Sequence, residues 1–141
     1  MRGAELLREA WFTLSLSATA LFLHAHTLGF CLGTGQSMQP AMEHNSVIAV
    51  DKLTLRLRRP RRGDVVLLRP LHGGEHCLCK RVKYLAGEEV PGRAVVPAGH
   101  VWVEGDNAAL SSDSRHFGPV PEHLIVGLSR AMLYPRFRVH G

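Results

Sequence analysis

A mainly β domain behind one N-terminal helix is the fold class this sequence predicts. Three observations carry that expectation. The chain opens with an uncharged, apolar-rich stretch, short β-branched runs follow at close intervals, and Gly and Pro punctuate them. At 141 residues there is room for one domain of ordinary size. Once the N-terminal stretch is set aside, about a hundred residues remain to build a core.

No Asp, Glu, Lys or Arg lies between Glu9 and Glu43. As a helix, Ala10 to Leu32 would be long enough to cross a hydrocarbon layer of ~30 Å at ~1.5 Å per residue. Thr13, Ser15, Ser17, Thr19, His24, His26 and Thr27 dilute it, yet a helix satisfies its own backbone in lipid and carries such groups. One transmembrane crossing over about 10–32 is therefore expected, with 1–32 as an N-terminal segment and 33–141 as the body. The alternatives are a cleaved export signal, with Ala18-Thr19-Ala20 as a weak site, and an interfacial helix. Trp11 suits an interfacial anchor. Arg2 and Arg8 on one flank oppose Arg56 to Arg62 on the other, so charge leaves the orientation open.

After Pro40, which is expected to keep Gln39 and its loop extended, the elements follow in order. Val47–Val50 is a short buried run. Arg56 to Arg62, with Pro60 and Gly63, reads as a solvated connection, a lipid-facing patch being the functional alternative. Asp64–Leu68 is a strand closed by Pro70, Gly73 and Gly74. His76–Leu85 is a longer strand ended by Gly87. Val95-Val96 and His100–Glu104 come next, split by Pro97 and Gly99. Leu124–Leu133 is the last apolar run, stopped by Pro135.

Composition excludes several functions. The net charge is +5, yet there is no zinc finger, basic helix or aromatic–basic interleaving, so nucleic acid is not an expected partner. Cys31, Cys77 and Cys79 are too few for a disulfide framework. His76-Cys77-x-Cys79 lacks a second ligand pair, so no metal is expected. No Gly-x-Ser-x-Gly elbow is present for a Ser-His-Asp triad.

Three separated blocks carry the chemistry instead. Ser37 lies in Gly35-Gln36-Ser37-Met38-Gln39-Pro40, a Gly-rich turn that exposes its hydroxyl and frees backbone N–H groups for a developing oxyanion. A serine needs a base within hydrogen-bond reach. In Leu78-Cys79-Lys80-Arg81-Val82, strand alternation puts Lys80 on one face with Leu78 and Val82, where desolvation lowers its pKa towards neutrality. Gly105-Asp106-Asn107 forms a turn, followed by Ser111-Ser112-Asp113-Ser114-Arg115, which supplies hydroxyls and a charge pair. Together these blocks suggest a serine–lysine protease attached to a membrane.

With Arg62-Gly63-Asp64-Val65-Val66 and Gly118-Pro119-Val120, these blocks stand in an order that resembles the type I signal peptidase family, over about 33–135. Cys79 before Lys80, and Gly99 to Asn107, are most similar to its mitochondrial inner-membrane branch. The resemblance implies a signal-peptidase-like β protease domain behind the N-terminal helix. Ser37 would be the nucleophile, Lys80 the general base and the Ser37 N–H an oxyanion donor. Ser111 matches the hydroxyl that orients the lysine, Asp113 and Arg115 the structural ion pair, and Asp106 an acid steadying the turn near Arg81. Met38, with Gly35 and Gln36, matches the substrate groove. No cofactor is implied. The implied partners are presequence-bearing substrates, the membrane and a second protease subunit in a heterodimer. The implied place is the mitochondrial inner membrane, with the body facing the intermembrane space. A signal peptidase of another membrane and a non-catalytic subunit of the same fold are the alternatives. Gly35 replaces a hydroxyl that many bacterial members carry, Ala41 stands where Thr is frequent, and Lys83 to Glu88 departs from the usual continuation.

Overall fold

The computed structural model describes residues 2–71 and 76–140. Helix α1 (Arg2–His26) leads into strands β1 (Leu28–Gly33) and β2 (Ser46–Asp51), then a single-turn helix α2 (Thr54–Leu57). Strands β3 (Val65–Leu68), β4 (Leu78–Tyr84) and β5 (His100–Glu104) follow. The one-turn helix α3 (Ser114–Phe117) precedes β6 (Val120–Pro121), β7 (Ile125–Tyr134) and β8 (Arg138–Val139). The sheet runs β1-β2-β7-β3-β4-β5-β6, with β8 also beside β7, and its strand pairings are antiparallel. This is the mainly β body the sequence predicts.

The sheet is covered on both faces around β3, which explains an apolar run there without alternation. Val66 and Leu68 pack with Val82, Val101, Val103 and Leu128. Val65 and Leu67 turn the other way, onto Met38, Met42, Ile48 and Val50. Trp102 is a core residue beside Val90 and Val96, with its indole N–H donating to Glu104 at 2.9 Å.

The N-terminal expectation needs correction. Helix α1 stops at His26, and Leu28–Gly33 is a strand in register with β2, from Leu28↔Asp51 to Gly33↔Ser46. An apolar stretch with glycines suits either conformation, and cross-strand pairing decides it. The uncharged part of the helix, 10–26, rises about 25 Å at ~1.5 Å per residue, short of the ~30 Å of a hydrocarbon core. Among the described residues no helix is long and apolar enough to cross a membrane.

Three smaller expectations also change. The loop at Pro40 is not extended: it turns, with Gln39 N–H donating to Gln36 O at 3.2 Å and Met42 N–H to Met38 O at 2.9 Å. That turn carries Met38 and Met42 into the core together; the Gln39–Pro40 peptide is cis. Val95-Val96 contributes only an isolated bridge, Glu89↔Val95. The Arg56 to Arg62 segment is partly structural. Arg58 donates to both carboxylate oxygens of Asp64 (2.8 and 3.2 Å), and Arg62 bonds Glu88 at 2.9 Å. Gly73 and Gly74, read as part of the turn after β3, lie outside the described residues.

Candidate active site

The site is assembled at the meeting of the Ser37 turn, strand β4 and the turn after β5. Burying Met38 and Met42 anchors the loop and leaves Ser37 half-buried between them and solvent. The Ser37 carbonyl accepts the Asn107 N–H at 2.9 Å. Residue 105 must be glycine for this approach, because a Cβ there would stand 2.5 Å from the Ser37 carbonyl oxygen and collide with the Ser111 side chain.

Lys80 pairs with Val66 across β3–β4 and is 3% exposed. Its Nζ lies 2.8 Å from Ser37 Oγ. Burial lowers the Lys80 pKa, partly opposed by the negative charge of Asp113 and assisted by Arg115. The neighbouring Cys79 thiol is pushed by burial up to about 12, so it stays protonated. The amine that faces Ser37 is therefore the group on this strand that burial shifts towards its neutral form.

Asp113 is the hub behind the lysine. It is fully buried and caps α3. It accepts from Ser111 Oγ (2.6 Å), Gly105 N–H (2.8 Å), Arg115 Nε (2.9 Å) and Arg115 Nη2 (2.6 Å). Burial alone would raise its pKa; the hydrogen bonds from Arg115, Ser111 and backbone N–H groups outweigh it and hold the carboxyl well below the usual range. Asp106 forms a two-pronged pair with Arg81 at 2.9 and 2.7 Å, and Arg81 also donates to Gly63 O at 3.0 Å. This ties the β5 turn to β4 and to the start of β3.

Ser111 takes a different place from the one the resemblance implies. Its hydroxyl donates to Asp113, and among the described residues no hydrogen bond joins it to Lys80. Asp113, whose negative charge opposes the effect of burial on Lys80, is the link between the two. Ser111→Ala is expected to lower stability by ~1.5–3 kcal/mol, the worth of a hydrogen bond to a charged group, and cleavage by about tenfold. Ser112→Ala, an exposed neighbour, should change neither. Thermal melts and peptide kinetics on both variants check this, and the reverse order would mean the loop is read out of register.

A groove of ≈ 740 Å³ opens onto Ser37, with Gly33, Gly35, Met38, Leu78 and Lys80 in its lining. Gln36 is exposed and stands outside it. The β1 wall was hidden from sequence reading because Leu28–Leu32 was assigned to the helix; the Gly29/Gly33 spacing and the apolar alternation were the available signal. A C-terminal brace had no sequence signal at all: Arg138 donates to Pro40 O at 2.7 Å, and the His140 ring lies 3.4 Å from Ala41 O and 3.0 Å from Ser129 Oγ.

An antiparallel β body with a serine hydroxyl and a buried amine at one groove has the build of a peptidase. The family described as signal peptidase, peptidase S26, matches residues 6–94 and 89–134, and the chain belongs to it. It is 31% identical to mouse mitochondrial inner membrane protease subunit 1, covering 96% of this chain and 88% of that protein. It is 35% identical to the mitochondrial ATP-independent inner membrane protease subunit 1a of Arabidopsis thaliana, over 91% and 86% of the two chains. Subunit 2 of the inner membrane protease from Schizosaccharomyces pombe is 36% identical, over 82% and 69%.

Proposed function

We propose that this chain is a membrane-bound serine endopeptidase that removes sorting sequences from proteins destined for the mitochondrial intermembrane space. One observation carries the proposal: a buried lysine amine 2.8 Å from a serine hydroxyl at the head of a peptide-sized groove. Substrate lies extended in the groove, its backbone bonding to a strand edge. Neutral Lys80 takes the Ser37 proton as Oγ attacks the scissile carbonyl, and the Ser37 N–H faces the oxyanion. The Lys80 ammonium returns that proton to the leaving amine. A water molecule, deprotonated by the same lysine, then releases the acyl group and restores Ser37.

The relatives' names support the setting, an inner-membrane protease of two kinds of subunit. On this reading the body of the chain faces the intermembrane space, beside a second subunit. Helix α1 is the membrane contact. Leu6, Leu7, Trp11, Phe12, Leu16 and Leu21 are exposed on it and offer apolar surface to a bilayer.

Purified full-length chain in detergent, given presequence-bearing peptides, tests the proposal through pH. Activity is expected to rise with pH through a midpoint below the ordinary lysine value of ~10.4, because burial lowers the Lys80 pKa. Stability carries the same sign. Between the folded and unfolded pKa values the unfolded chain binds the extra proton, so the Lys80 penalty is absent above ~10.4 and grows as pH falls through that window. Lys80→Met should be inactive yet at least as stable as wild type near neutral pH. A clearly lower melting temperature would make Lys80 a paired structural cation and end its role as base.

A further inference from the structure

The turn that carries Ser37 is tied to two parts of the fold. Asn107, after β5, donates its N–H to the Ser37 carbonyl. Strands β7 and β8 hold three peptide groups further along the same turn. Arg138 Nη1 donates to Pro40 O at 2.7 Å, His140 Nε2 lies 3.4 Å from Ala41 O, and the Glu43 N–H donates to Met132 Sδ at 3.5 Å. Strand register aims these groups: Met132 pairs with Arg138, and the His140 N–H donates to Arg130 O at 2.7 Å. The His140 side chain is buried, with Nδ1 3.0 Å from Ser129 Oγ. A carbonyl oxygen only accepts, so the ring bonds Ala41 with its proton on Nε2. Burial lowers the His140 pKa, with Arg81 and Arg138 assisting and Ala41 O and Asp106 opposing. The ring is then neutral, and Nδ1 accepts from the Ser129 hydroxyl.

We propose that Arg138 and His140 are positioning residues for cleavage, fixing the Ser37 turn so that Oγ stays against the Lys80 amine. This rests on the peptidase reading of the site. The connection is short. The Met42 N–H bonds Met38 O across the turn, Pro40 and Ala41 lie between them, and Ser37 immediately precedes Met38. Met38 and Met42 anchor the turn by apolar packing, which has no direction of its own. The hydrogen bonds to Pro40 O and Ala41 O supply direction. A shift of those peptides moves Ser37 relative to Lys80, whose place is set by the pairing of β4 with β3. The 2.8 Å contact between Nζ and Oγ has little tolerance: a displacement of ~1 Å at a reacting atom costs ~10²-fold in rate. Neither Arg138 nor His140 lines the groove, so substrate binding does not depend on them directly.

The test uses the purified chain in detergent with presequence-bearing peptides. Arg138→Met removes the donors at an exposed position, where loss of the fold is not expected, and Arg138→Lys restores a donor. His140→Leu and His140→Gln form the same kind of pair, the Gln amide standing near the place of Nε2. Arg138→Met and His140→Leu should each lower kcat about tenfold, and together ~10²-fold, with KM within about twofold of wild type. Arg138→Lys and His140→Gln should recover most of the loss. Backbone amide exchange over residues 36–43 needs no cleavage. It should quicken in Arg138→Met, while the melting temperature and exchange in β3 and β4 stay at wild-type values. An unchanged kcat, a loss that appears in KM, or a loss that Arg138→Lys fails to recover overturns the proposal. So does exchange in the turn that Arg138→Met leaves unaltered. Faster exchange in the turn, together with no cleavage by the wild-type protein, would keep the turn's dependence on Arg138 and overturn the peptidase function instead.

Discussion

Ser37→Ala and Lys80→Ala are each expected to lower peptide cleavage by roughly 10³-fold or more while leaving the folded body intact. The 2.8 Å contact between Nζ and Oγ makes the two side chains one unit. Removing the hydroxyl leaves no nucleophile, and removing the amine leaves a hydroxyl that is not deprotonated near neutral pH. Groups that act as a unit are not additive, so the double variant should be no slower than either single one. Single-turnover assays on the three proteins, with circular dichroism to verify the fold, measure this. Cleavage by Ser37→Ala near the wild-type rate would remove the nucleophile assignment. Additive losses would mean that the two residues serve separate steps.

Asp113→Ala is expected to be the most damaging change to stability, at about 3–5 kcal/mol. The carboxylate is fully buried and satisfies Ser111 Oγ, the Gly105 N–H and the Arg115 guanidinium. Truncation leaves those donors without their acceptor and frees the turn that holds Asn107 against the Ser37 carbonyl. Against a typical total of ~5–15 kcal/mol, such a loss takes much of the fold. Urea melts should show it directly. The wild-type protein should show the linked pH dependence. Because the Asp113 pKa is depressed by its hydrogen bonds, its stabilisation is fully present above the unfolded value of ~3.9 and is lost as pH falls below it. An Asp113→Ala variant within 1 kcal/mol of wild type would show that Arg81 and Asp106, rather than this hub, hold the turn.

Much of this was legible from residue order. Period-2 alternation around Leu78, Lys80 and Val82 put the lysine inward, and the structure finds it buried opposite Val66. Gly and Pro marked the strand ends closely enough that β3, β4, β5 and β7 were found within a residue or two. The pairs Asp113–Arg115 and Arg81–Asp106 form as expected. Local rules suffice in these cases, because the side-chain face along a strand and the chemistry of a turn depend on neighbours in sequence.

Other features depend on partners far along the chain. Leu28–Gly33 is apolar enough for a helix, and became a strand because β2 offers it backbone hydrogen bonds and an apolar face. Ser111 could bond either the lysine or the carboxylate; the position of Asp113 at the start of α3 gave it the carboxylate. The Arg138 and His140 brace on the Ser37 turn exists only because β7 lies between β2 and β3 and carries β8 at its side. The sequence by itself determined which side chains could act as nucleophile, base and ion pair. Tertiary structure alone decided which of them touch, since a 2.8 Å contact between residues 37 and 80 is set by strand register and burial, neither of which is encoded in a local pattern.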